Sequence, residues 1–251
     1  MGSRDVDRRS VLGRLLEEIS WEGRSVRGYR DGGRGRENVL TAEVLTALDF
    51  LPRSHFLGAV LDNAHGADTA RATLRTEIED ADLEFLPDEI VLNPAGPSRG
   101  TRLIVQPDAL ITAPTCYAMI EAKRIQRSSF QPQQLAREYL AVTGGAGGRA
   151  PLLLLILGGP PPVPVAGSGA LTIQDAITRH LPSVHLLAVD HPLPLDDLSD
   201  RITDVCAWTT WHDLAATVTT QHRQLAISDL SIANSITRLT EAIIGSVARH
   251  S

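Results

Sequence analysis

The stretch "QPDALITAPTCYAMIEAKR", residues 106–124, decides how this chain folds. Two apolar runs, "ALI" and "CYAMI", flank the turn-forming "TAPT", which predicts a β-hairpin. With residues 113–116 as the connection, Asp108 on the first arm lies opposite Glu121 on the second. Side chains alternate along a strand, so Glu121 and Lys123 share a face. Two carboxylates and one ammonium are thereby expected on one patch of sheet.

Lys123 is the only lysine in the chain; every other basic side chain is arginine. Arginine stays protonated and presents a wide planar fork, whereas lysine is a slim point charge whose pKa moves with its surroundings. A lysine kept at this one position therefore suits a site that needs a compact donor or a proton acceptor. Two carboxylates facing each other across neighbouring strands repel. A divalent cation reverses that sign, and Mg²⁺ prefers one or two carboxylates with waters in its remaining positions. The same residues also admit a plain reading: Asp108 as a strand end after proline, Glu121 and Lys123 as an exposed charge pair.

Outward from the hairpin, the pattern is that of a mixed α/β protein. Helices are expected over residues 5–20, 37–50 and 54–64, the last with Ser54 as N-cap, and over "ADTARATLRTEIEDADLEFL" up to Pro87. "EIVLNP", "TRLIVQPDALI" and "CYAMIEAKRI" then read as a three-strand antiparallel meander. "QPQQLAREYLAV" is helical, and "PLLLLILG" reads as a strand buried on both faces. A helix at "TIQDAITRHL", a buried strand at "VHLLAVD", a last strand at "VCAWTTW" and a helix from "HDLAATV" complete the order. The division expected is an Arg/Gly-rich helix and leader (1–36), an α/β domain (37–220) and a C-terminal amphipathic helix packed on it (221–251).

The 251 residues carry 43% hydrophobic and 22% charged side chains, as ordinary globular proteins do. No apolar run is long enough to span a bilayer and the first residues lack a secretory core, so a cytoplasmic protein with no membrane contact is expected. Two cysteines exclude a disulfide framework and a four-cysteine metal site. The net charge of −6 argues against a general nucleic-acid binder. The leader, however, holds nine arginines against six acids up to Arg36, enough to reach phosphates locally. The histidines lack metal-ligand spacing, "GGAGG" lacks the Gly-Lys-Ser/Thr ending of a phosphate loop, and Trp208 and Trp211 read as packing residues.

The hairpin resembles the bipartite signature of the PD-(D/E)xK nuclease superfamily. Pro107-Asp108 matches its first half and Glu121-Ala122-Lys123 its second. The resemblance implies a restriction-endonuclease-like αβββαβ core with N- and C-terminal helices added. It implies a Mg²⁺ (or Mn²⁺) site built from Asp108, Glu121 and the carbonyl of Ala122, with Lys123 handling the attacking water. A glutamate from the helix before the meander would join it, either Glu37 or Glu43, with Glu37 the better match. Some branches carry Gln and Tyr on the helix after the lysine strand; here Gln134 and Tyr139 stand five apart rather than four. Arg124, Arg127, Gln134, Arg34 and Arg36 would meet DNA. The activity implied is hydrolysis of DNA phosphodiesters in restriction, anti-phage defence or repair, with a homodimer or helper subunit as open partners. The alternative is an inactive nuclease-fold module that binds DNA or protein, since fold alone does not license function.

Overall fold

The structure, a computed structural model, describes residues 36–92, 103–125, 129–188 and 190–251, with side chains from Val39 onward. The helix expected over 5–20, Arg34 and Arg127 lie outside these residues, as do the side chains of Arg36 and Glu37.

Three helices come first: α1 (Arg36–Phe50), α2 (Leu57–Asn63) and α3 (Asp68–Glu77). Strands β1 (Asp82–Phe85), β2 (Ile90–Val91), β3 (Ile104–Val105), β4 (Ala109–Thr112) and β5 (Cys116–Ala122) follow. After α4 (Gln134–Gly145) and β6 (Ala150–Leu157) comes a small hairpin, β7 (Val163–Val165) and β8 (Gly169–Leu171). The chain continues through α5 (Ile173–Leu187), α6 (Leu195–Asp200), α7 (Ile202–Val205), β9 (Cys206–Thr210), α8 (Trp211–Gln224) and α9 (Leu230–His250). The fold is mixed α/β.

Five strands form the central sheet in the order β1-β4-β5-β6-β9. The first three are antiparallel, while β5, β6 and β9 run parallel. The parallel part explains the apolar runs. All seven residues of β5 are buried, and so is every residue of β6 after Ala150, because helices cover both faces. One face packs Ala118, Ile120, Leu152 and Leu154 against Leu40, Val44, Leu74 and Leu214. The other packs Met119, Leu153 and Leu155 against Leu135, Tyr139, Ile177 and Leu181. The β4–β5 hairpin takes the anticipated register: Ala109 pairs with Ile120 and Leu110 with Met119.

Four local expectations are corrected. The helix expected to reach Pro87 ends at Glu77, and Leu83 and Phe85 alternate with exposed Asp82 and Glu84 as an edge strand. "TRLIVQPDALI" is two strands, because Pro107 has no N–H to give a ladder. Its first half pairs with Ile90–Val91 in a separate ribbon, so β1, not "EIVLNP", opens the antiparallel set. "VHLLAVD" is not a strand. Ile177, Leu181 and Val184 recur at helical spacing and are buried, which carries α5 through Pro182 and leaves Leu186 78% exposed. Ser54 does not cap α2 either; Phe56 holds that position, and the Ser54 N–H donates to Glu79 Oε2 at 2.7 Å.

The outer edge of β9 is capped by the turn after α2. The His65 N–H donates to the Trp208 carbonyl at 2.8 Å and the Trp208 N–H donates back at 2.9 Å. The two rings stack 4.3 Å apart. Gly66 follows at φ +80°, where an added Cβ would sit 2.6 Å from the Cys206 carbonyl oxygen, so only glycine lets this cap approach. At the other end of the chain, α9 lays Ile236, Ile243 and Val247 into the core shared with α1. Among the described residues, no helix is long and apolar enough to cross a membrane.

Candidate active site

β4 and β5 place Asp108 and Glu121 where the hairpin reading puts them, on the face that carries Leu110 and Met119. Asp108 sits just before β4, where Pro107 ends the ladder, and its Oδ2 accepts the Ala122 N–H at 2.7 Å. The carboxylate thus satisfies a β5 donor that β4 is too short to reach.

Lys123 Nζ donates to Glu121 Oε1 at 2.7 Å, and Gln134 Nε2 donates to the same oxygen at 2.7 Å. The ion pair is nearly enclosed, with side chains 12% and 7% exposed for Lys123 and Glu121. Its ammonium lies 5.0 Å from the centroid of the Phe130 ring, a cation–π contact in which arginine's fork would need a wider berth. Phe130 is held in turn by the β7–β8 hairpin: its N–H donates to the Pro164 carbonyl and its carbonyl accepts from Ala166, both at 2.9 Å.

The backbone at Lys123 is pinned on two sides. Its N–H donates to the Ile156 carbonyl at 2.8 Å, continuing the β5–β6 ladder. Its carbonyl accepts the Trp211 indole N–H at 2.7 Å. The chain then crosses Gly158, where an added Cβ would come within 2.6 Å of the Ile125 carbonyl oxygen and crowd that of Arg124. Trp211 is a packing residue, as expected, but it also fixes the lysine's backbone.

Glu138 was not anticipated. It lies one helical turn beyond Gln134 on α4, is 2% exposed, and its Oε2 meets no hydrogen-bond partner among the described residues. Burial first, and then the nearby Glu121 charge, hold its carboxyl well above the ordinary carboxylate range, while Lys123 and Gln134 pull it down. The signal was available: Gln134 and Glu138 have the i,i+4 spacing that shares a helix face. Tyr139, the residue that the family resemblance picks out on this helix, points away, and its buried hydroxyl donates to the Leu198 carbonyl at 2.6 Å. Beside this cluster opens a cleft of about 640 Å³ between β3, the turn at 131–133, α4 and α5.

Asp108, Glu121, Lys123 and Gln134 are therefore brought together. Glu43 is not among them: its carboxylate accepts from Ser246 Oγ and, at 3.0 Å, from Arg249 Nη2 on α9. Among the described residues, no three His, Cys, Asp or Glu side chains are grouped to hold a metal ion by themselves. The donor set that fits a small hard cation is two carboxylates and a carbonyl, which is what Mg²⁺ accepts when water completes its shell. Ala122 would supply the carbonyl. In a strand the N–H and C=O of one residue point to the same edge, and the Ala122 N–H is directed at Asp108. Comparison with protein-family models, curated proteins and solved structures gives no match to this chain.

Proposed function

We propose that this chain is a Mg²⁺-dependent phosphodiesterase acting on DNA, with the restriction-endonuclease-like arrangement that its hairpin signature implies. The observation that carries the reading is the convergence of Asp108, Glu121 and Lys123 at the open end of one hairpin. The order of helix, antiparallel β1-β4-β5, helix and parallel β6 supports it.

Asp108, Glu121 and the Ala122 carbonyl would hold the ion. Bound there, Mg²⁺ (or Mn²⁺) would supply Lewis-acid polarisation of a phosphoryl oxygen and a lowered pKa for water. Lys123 would orient the attacking water and neutralise charge developing on the phosphoryl oxygens. Gln134 holds the Glu121 carboxylate in place, a positioning role. Glu37, at the first turn of α1, would add a further acid. Arg124, together with Arg127, Arg34 and Arg36, would meet backbone phosphates and make binding salt-dependent. Restriction, anti-phage defence and repair are the settings that this chemistry serves.

The test is plasmid or oligonucleotide cleavage with Mg²⁺ or Mn²⁺ by the wild type, Asp108→Asn and Lys123→Ala, with folding checked by circular dichroism. Loss of at least a hundredfold in both variants is expected, of the order that removal of an electrostatic or acid–base group costs. Equal cleavage by all three proteins overturns the assignment. One observation favours the rival reading, a binding module without catalysis: Lys123 and Glu121 already satisfy each other in a nearly enclosed pair. Calorimetry showing no Mg²⁺ or Mn²⁺ binding, alongside tight DNA binding, would decide for it.

A further inference from the structure

The cleft beside the carboxylates carries more chemistry than that reading uses. Three buried polar atoms on its lining residues have no hydrogen-bond partner among the described residues: Glu138 Oε2, Arg137 Nε and His180 Nε2. Orphaned polar atoms are uncommon in folded proteins. All three are closed off from solvent on residues that line one cleft, so a ligand there pairs with them once those side chains turn toward it.

The lining restricts what that is. Arg137 is the one arginine of the lining and a buried carboxyl, Glu138, stands beside it, so the cleft has neither the cation cluster of a phosphate site nor the carboxylate set of a metal site. Gln106 and Gln133 add amides, which both donate and accept. Ile104, Val105 and Pro132 supply apolar walls. A flat, uncharged ring with donors and acceptors along one edge suits this set, and the volume of about 640 Å³ lies within the range of small-molecule sites. Gln and Arg are also the side chains that pair with purine edges in two-bond geometry.

We infer that the cleft between β3, the 131–133 turn, α4 and α5 is a nucleobase subsite, with Glu138, Arg137 and His180 meeting the edge of the base. Gln134 lines the cleft and also donates to Glu121, so the subsite abuts the cluster assigned to the phosphate. A base neighbouring the scissile phosphate is the ligand if that assignment holds, and only this choice of source rests on it. A free nucleotide presents the same edge.

The experiment uses the full chain in EDTA, where no cleavage is measured. In one arm, calorimetry records binding of each of the four deoxynucleosides. In the other, anisotropy records binding of single-stranded oligonucleotides in which an abasic site is moved along the sequence. The wild type is compared with His180→Ala, Arg137→Ala and Glu138→Gln, the last keeping the shape of its parent. Preferential binding of at least one base, weakened roughly tenfold or more in the variants, is expected. A single abasic position that matters assigns the base to a strand; nucleoside binding without such a position assigns it to a free nucleotide. Absence of nucleoside binding with a flat abasic scan, or variants that bind as the wild type does, overturns the subsite. A protein that fails to cleave DNA but passes this test loses the catalytic reading and keeps this one.

Discussion

Lys123 shows how a residue type reports its surroundings. Its ammonium is confined by Glu121 Oε1 on one side and the Phe130 ring on another, and its carbonyl is tied to Trp211. The sequence made Asp108, Glu121 and Lys123 legible because strand alternation and hairpin register are local rules that a short motif can display. Trp211 was legible only as core, since a bond spanning 88 positions has no local signature. Glu138 is hidden for a third reason: a buried acid contradicts the usual burial order, so its place on the helix carries little weight in the sequence alone. Replacing Trp211 by Phe keeps most of the packing and removes the indole donor. Such a loss removes one hydrogen bond to the Lys123 carbonyl and is expected to lower unfolding free energy by about 0.5–1.5 kcal/mol in urea titrations. A change under a few tenths of that range would show that the indole only packs.

At the scale of elements, the errors share a cause. β1 and the extended α5 were misread because short apolar runs suit helix and strand alike until the tertiary neighbours are known. The link from α5 to α6 depends on such a neighbour. His191 Nε2 lies 3.1 Å from Thr143 Oγ1 and 3.2 Å from the Leu140 carbonyl oxygen, pinning that link to the end of α4. Burial pushes its imidazole below the ordinary 6.5, with His185 adding to the effect and the Leu193 and Leu140 carbonyls opposing it. The folded chain therefore resists a proton that the unfolded chain takes up below pH 6.5. Stability contributed by neutral His191 is complete above that pH and is lost as pH falls toward the depressed folded value. Thermal unfolding followed from pH 7 downward should show a shallower decline in His191→Gln than in the wild type. Parallel curves would remove this residue as the cause.

Across the whole molecule, α9 is structural as well as terminal. Its amphipathic stripe was readable from the sequence, but its partner, the face of α1, was not, because no local pattern says which helix meets which. Ile236, Ile243 and Val247 are buried against that face. At about 1.5–3 kcal/mol for each buried aliphatic, their loss rivals the roughly 5–15 kcal/mol that holds a domain folded. By contrast, the Arg249–Glu43 pair, 61% and 46% exposed, adds little. Truncation after Gln224 is expected to abolish cooperative unfolding, whereas Arg249→Ala should leave the midpoint nearly unchanged. A truncated chain that still melts in one sharp transition would show α9 to be dispensable.

The rims of the central sheet have a consequence for how copies of this chain can meet. One rim is stitched to the His65 turn by two backbone hydrogen bonds, and the other, β1, presents Asp82 and Glu84. The bonds cover the first rim at Trp208, and the acids on the second disfavour pairing with another chain, which is the usual entry to fibres and strand-swapped pairs. Both features work against lengthening the central sheet and so favour assembly by docked helices over added strands.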